Sequence, residues 1–241
     1  MDRRKFFSNV VVATAASSVK TQAGAQARNQ SLFKVSLAQW SIRRFHKAKP
    51  GSEDYLDPLD FAVYAKNECG IAGIEYVNQF YFGKEGNEAY FNELKKRAEG
   101  EGVESLLIMC DGCGMVGDPS EARRIETVEK HTPWLAAAAQ LGCHSISVNA
   151  ESKGTYEEQQ KLAADGLVKL ADAAKPYGLD VIVENHGGLS SNGQWLSGVM
   201  KRVDLPNVGT LPDFGNFRIS KDPEEWYDRY KGCLLYTSPS P

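Results

Sequence analysis

Two stretches bring acids to the ends of apolar runs. In "VIVENHGG" (Val181–Gly188), three strong β-formers run straight into Glu184, Asn185 and His186. In "GTLPDFGNF" (Gly209–Phe217), a second apolar run reaches Asp213, with Asn216 three residues on. Burying a carboxylate is costly unless it is paired or coordinated. In a strand alternate residues share a face, so Glu184 and His186 point one way and Asn185 the other. Asp213 follows Glu184 by 29 positions, one strand–helix–strand step. Two acids on neighbouring strand ends repel unless a cation lies between them, and hard divalent ions take carboxylate oxygens readily. Glu184 and Asp213 are therefore the candidate metal ligands, with Glu184 also the candidate proton carrier.

Each residue also has a plainer use. Glu184 could accept loop hydrogen bonds or pair with a lysine, and Asp213 could cap an Asx turn. His186 divides between a structural histidine and a substrate contact. Gly187 and Gly188 turn the chain or admit a close ligand. Other polar residues collect at the ends of further apolar runs: Gln39-Trp40, Glu75, Asn78, Cys110-Asp111, Asn149 and Glu151. Glu75, inside a strand, must pair with a sugar hydroxyl or an internal cation. Trp40 is core or a sugar-stacking platform. Asn185, Asn216, His186, Glu75 and Trp40 complete the candidate substrate residues. His46 and His131, in polar stretches, are assigned nothing.

A repeated phrase must position these groups. Helix-like stretches end at Gly70, Gly102, Gly142 and Gly178, which lie 32, 40 and 36 residues apart, and a short apolar run follows each. Glycine at such a helix end takes the left-handed conformation cheaply. Asp118-Pro119 suits a helix N-cap followed by proline at the first helical position. Strand–helix units at this period predict parallel strands joined by crossover helices, six strands in all from "FKVSLAQW" to "NVGTLPDF". A doubly wound sheet lacks its usual glycine-rich loop after the first strand, in "SLAQWSIRRF". A (β/α)8 TIM barrel keeps its chemistry at the C-terminal strand ends, where the polar residues collect.

"VIVENHGG", "GTLPDFGNF" and "GIEYVN" within this repeat resemble the xylose isomerase-like TIM barrels, over roughly Phe33 to Tyr230. That superfamily includes sugar isomerases and epimerases, hydroxypyruvate isomerase, inosose dehydratase and endonuclease IV. In its sugar-acting branches one divalent ion is held by glutamate on strand five, aspartate on strand six, histidine on strand seven and glutamate on strand eight. Glu184 and Asp213 match the first two; the last two have no counterpart here. The resemblance implies an isomerase or epimerase of a sugar or keto-sugar, working by enediolate proton transfer with one divalent cation. Mn²⁺ or Mg²⁺ suits the oxygen donors, and Zn²⁺ or Co²⁺ is admitted. The alternatives are a metal-dependent lyase or dehydratase on an oxidised sugar, and an exported sugar-binding barrel without turnover. Endonuclease IV-like work, with several zinc ions and many histidines, does not suit a chain with four histidines.

Composition and the two ends frame the rest. The 241 residues are 42% hydrophobic and 24% charged with net charge −3, and no basic face suggests nucleic acid. No run approaches the roughly 18 apolar residues of a membrane span. "MDRRKFF", "VVVATAASSV" and "AGAQA" follow the order of an export signal of the twin-arginine type over residues 1–27, implying a periplasmic location. Cytoplasmic folding before export would allow the ion to be loaded there. "CLLYTSPSP" resembles adapter read-through, so residues 232–241 are expected to be a non-native or disordered tail, and residues 33–231 a partial barrel. The resulting open edges predict poor solubility or association, with oligomeric state open. The five cysteines, including Cys110-x-x-Cys113, read mainly as small apolar fillers.

Overall fold

A computed structural model describes residues 33–217 and 221–234. Six strands form one parallel sheet whose spatial order equals chain order: β1 (Leu37–Ala38), β2 (Gly73–Val77), β3 (Glu104–Met109), β4 (Ser145–Asn149), β5 (Asp180–Glu184) and β6 (Val208–Leu211). That order is the finding that separates the two parallel architectures. A doubly wound sheet reverses direction around its first strand, whereas this sheet adds each strand beside its predecessor, as a TIM barrel does.

Helices cross between the strands: α1 (Arg43–His46), α2 (Phe61–Asn67), α3 (Glu88–Gly100), α4 (Glu121–Leu141), α5 (Tyr156–Ala174), α6 (Gly193–Val203) and α7 (Pro223–Leu234). Local chemistry sets their ends. Thr155 and Glu158 close a reciprocal capping box on α5, and Asn192 accepts from the backbone of Gln194 and Trp195 at the start of α6. The marker glycines all adopt positive φ: Gly70 68°, Gly102 64°, Gly142 81° and Gly178 67°. The Asp118-Pro119 expectation is displaced. Asp118 Oδ1 accepts from Ser120 N, Ser120 is the N-cap, and α4 begins at Glu121.

Strand alternation divides the sheet's two faces. Ile74, Tyr76, Ile108, Ile146, Val148, Val181 and Val183 lie buried, where the helices pack. Register puts Glu75 beside Leu107, Met109 beside Ser147, and Asn149 beside Glu184 on the other, barrel-lining face. Phe61, Tyr76, Tyr81, Phe91 and Trp195 are the bulkiest core members. The export stretch, residues 1–27, lies outside the described residues. Helix α7 continues to Leu234, three residues into the stretch read as a tail, and the remainder of that stretch also lies outside them.

Candidate functional site

The strand ends are joined by carboxamides. Asn78, just beyond β2, donates to Asp111 O (2.8 Å) and accepts from Asp111 N (2.9 Å). Asn185, just beyond β5, makes the same reciprocal pair with Asp213, to O (2.9 Å) and from N (2.7 Å). Gln39, after β1, accepts from Val77 N at 3.0 Å. All three side chains are fully buried. The two asparagine clasps fix the backbone of an acid at the C-terminal rim and the Gln39 contact fixes that of Val77, and each satisfies amide groups that would be costly to bury unpaired.

This assigns Asn185 differently from its expected substrate contact. Its amide is spent on Asp213's backbone, consistent with alternation turning it away from Glu184. The clasps were missed in the sequence, because their partners are backbone groups of another strand.

Glu184 ends β5, 7% exposed. Burial first, then the charges of Asp213 and Asp111, a hydrogen bond with the Asp213 carboxyl and the charge of Glu75 push its pKa up to about 7. Asn216 Nδ2 donates to Glu184 Oε1 at 3.1 Å. Asp213 Oδ1 accepts from Gly215 N at 2.6 Å and Asn216 N at 3.3 Å, so the Asx turn exists alongside the acid pair. The sequence thus brings Glu184, Asp213 and Asn216 together as expected.

Asp111 joins them. Gln79 Nε2 donates to its Oδ2 at 3.1 Å, and Asn149 Nδ2 to its Oδ1 at 3.3 Å. Its place at a strand end was visible in the sequence, but nothing local marked it as part of the acid group. Glu75 accepts from the Ser36 hydroxyl and has no lysine or arginine ion pair among the described residues.

The remaining candidates are spread along the rim. His186 is exposed, and its backbone N donates to Ser190 Oγ at 3.0 Å. Gly187 and Gly188 have φ of 77° and 54°, so the turning role is real. An added Cβ at either would meet nothing within 4 Å, so the protein itself does not press on them. Trp40 is 36% exposed, but Arg43 and Lys47 lie 5.0 and 4.7 Å from its ring centroid. It is built into a local cation–π cluster.

The two unassigned histidines are buried in helices, contrary to the polar setting expected. His46 contacts Leu56 O through Nδ1 at 2.9 Å and Gln39 through Nε2 at 3.4 Å. His131 contacts Thr127 O at 2.7 Å through Nδ1. Cys110, Cys113 and Cys143 are buried, as fillers should be, while Cys69 is exposed.

The donor set fits a divalent cation in kind. Glu184 and Asp213 are hard oxygen donors whose charges meet no lysine or arginine ion pair among the described residues. Their mutual repulsion is what a cation relieves. Among the described residues no group of three His, Cys, Asp or Glu is placed to hold a metal ion.

Comparison with known proteins agrees with the fold. A family model described as "Xylose isomerase-like TIM barrel" matches residues 63–236. Among solved structures, 3-keto-D-glucoside 4-epimerase from E. coli is 21% identical, with TM-score 0.58, over 73% of this chain and 71% of that one. A probable 3-DHS dehydratase from Bacillus anthracis is 19% identical, with TM-score 0.58, over 85% of this chain and 71% of that one. A D-psicose 3-epimerase solved in the presence of D-fructose is 16% identical, with TM-score 0.61, over 79% of this chain and 66% of that one. The chain therefore spans about two thirds to seven tenths of these structures. No curated protein sequence matches it.

Proposed function

Because the chain belongs to the xylose isomerase-like TIM barrel family, we propose that it is a divalent-metal-dependent isomerase or epimerase of a sugar or keto-sugar. The observation that carries this reading is the clasped acid pair. Glu184 and Asp213 are held together at adjacent strand ends, and the Glu184 carboxyl is raised to about 7. A cation between them would relieve the repulsion behind that shift and leave Glu184 a carboxylate able to take a proton, as a carbon acid–base step demands.

Glu184 and Asp213 would hold the ion, which when bound supplies polarisation of neighbouring carbonyl and hydroxyl oxygens and so acidifies the C–H between them. Glu184 Oε1 receives the Asn216 amide, and the same carboxylate would accept that hydrogen as a proton. Asn216 orients the carboxylate, and Asn185 keeps the Asp213 backbone in place against β5. Asp111, steadied by Gln79 and Asn149, faces the same mouth as an acceptor for substrate hydroxyls. His186 and Trp40, both exposed at the rim, are available to contact the sugar.

The test is metal content and product together. Purified protein is assayed for bound Mn²⁺, Mg²⁺, Zn²⁺ and Co²⁺, then incubated with keto-sugars and the products resolved by NMR. Metal-dependent exchange of a carbon-bound hydrogen, abolished in Glu184→Gln, supports the reading; turnover undiminished in that variant rejects it. The fold likeness to a probable dehydratase favours one second reading, a lyase on an oxidised sugar. Loss of water from the product, in place of an inverted or moved centre, would identify it. An exported location, with the ion acquired before export, accompanies the proposal and is tested by fractionating cells that express the chain.

A further inference from the structure

Beside the acid mouth lies a cavity of about 660 Å³ that the proton chemistry does not use. It runs outward from Asp111 and Asn149, beneath α4, between the loop after β3 and the loop after β4. Its inner end is lined by Asp111 and Asn149, the two residues that relate it to the mouth. Asn149 is the register partner of Glu184, and the Asp111 charge reaches Glu184.

The cavity is built rather than incidental. Gly117 N donates to Glu151 O at 2.9 Å, and Ser152 Oγ donates to Gly117 O at 2.6 Å, stitching its two walls together. Arg124, buried, donates to Asp118 O at 2.6 Å and to Asp165 at 2.7 Å, tying the first wall to α5. Gly166 lets that helix lie against the same wall, since a Cβ there would stand 1.8 Å from Val116 O.

Its lining states what it can hold. Arg123, Lys130 and Lys153 stand against Asp111, Asp118, Glu126 and Glu151 in the lining, with Lys130 paired to Glu126 at 2.7 Å and Arg123 to Asp118 at 3.9 Å. No surplus positive charge remains for a phosphate or carboxylate. His131 lines the cavity, 1% exposed. Its Nδ1 lies 2.7 Å from the Thr127 carbonyl oxygen and so carries the hydrogen, which makes Nε2 the acceptor of the ring. An acceptor at the floor and alternating acids and bases at the rim match the hydroxyls of a neutral ring. The volume falls within the range of roughly 300–1,000 Å³ usual for small-molecule sites.

We propose that this cavity is a subsite for a second sugar ring, so that the substrate is a glycoside or disaccharide whose reacting ring lies at Glu184 and Asp213. The assignment rests on the sugar-acting reading above and narrows its substrate class.

The test titrates the full chain, with and without saturating Mn²⁺, against D-glucose, cellobiose and glucose 6-phosphate, and follows hydrogen exchange over residues 114–131 and 149–153. Cellobiose should bind about tenfold or more tightly than glucose and protect both segments. In His131→Leu, and in the exposed Lys153→Ala where folding is not at stake, the ratio of cellobiose to glucose affinity should fall toward one. Equal affinities in the parent protein, no protection of these segments, or preference for glucose 6-phosphate would each overturn the subsite. Mn²⁺ binding alone separates the two readings. Failure to bind Mn²⁺ with cellobiose protection retained removes the metal reading and keeps the subsite, and the converse removes only the subsite.

Discussion

Burial and neighbouring acids give Glu184 a pKa near 7 against 4.5 for the free side chain, and the sign of the consequence is fixed. Below pH 4.5 both folded and unfolded forms carry the proton. Between 4.5 and 7 the unfolded chain ionises first, so stability falls as pH rises, and above 7 the penalty is constant. In the presence of chelator, Glu184→Gln should flatten that slope and raise stability above pH 7 by about 2 kcal/mol, allowing for solvent at the open mouth. Urea denaturation at a series of pH values measures it. Adding Mn²⁺ to the parent protein should recover stability in the same window. Asn185→Ala should lose about 2 kcal/mol through its two buried bonds, and weaken Mn²⁺ binding although Asn185 is no ligand. A variant with normal Mn²⁺ affinity would show that Asp213 needs no clasp. Glu184, Asp213 and Asn216 were legible because a strand's apolar run announces where it ends. Asp111, Asn78 and His131 were not, since their roles depend on which backbone or cavity lies alongside, and alternation is silent about that.

At the level of elements, the glycine-terminated repeat gave both the number of strands and their parallel sense. The signal was strong because a positive φ at a helix end is a local requirement that few residues meet. Gly142→Ala should therefore lose about 1 kcal/mol from backbone strain alone, since an added Cβ there meets no atom within 4 Å. Gly166→Ala should lose several times more, because its Cβ would collide with the Val116 carbonyl. Comparing the two melting temperatures distinguishes conformational strain from collision. Asp118-Pro119 shows where local reading failed. Both residues favour a helix start, yet Arg124 holds the Asp118 and Pro119 carbonyls and draws them into the loop before the helix. A side chain four residues into the helix outweighed the preference of that pair for starting it.

Across the whole molecule, the sheet leaves β1 and β6 each paired on one side among the described residues. Unpaired edges invite strand addition. Sedimentation velocity should show concentration-dependent association, and backbone exchange should slow at Leu37–Ala38 and Val208–Leu211 as it occurs; a monomer at all concentrations would contradict this. Parallel strands in one sheet were readable from the repeat, whereas the cavity beneath α4 was not, because its walls come from loops far apart in the chain. The carboxamide clasps carry a last implication. Asn78 and Asn185 grip the main chain of residues 111 and 213 and ignore what those residues bear. The sockets are thus set by the main chain, with Asp213 also closing its own turn to Gly215 and Asn216: a residue that keeps that turn would inherit the same pose, and new reactivity could be fitted to this rim without redrawing the scaffold beneath it.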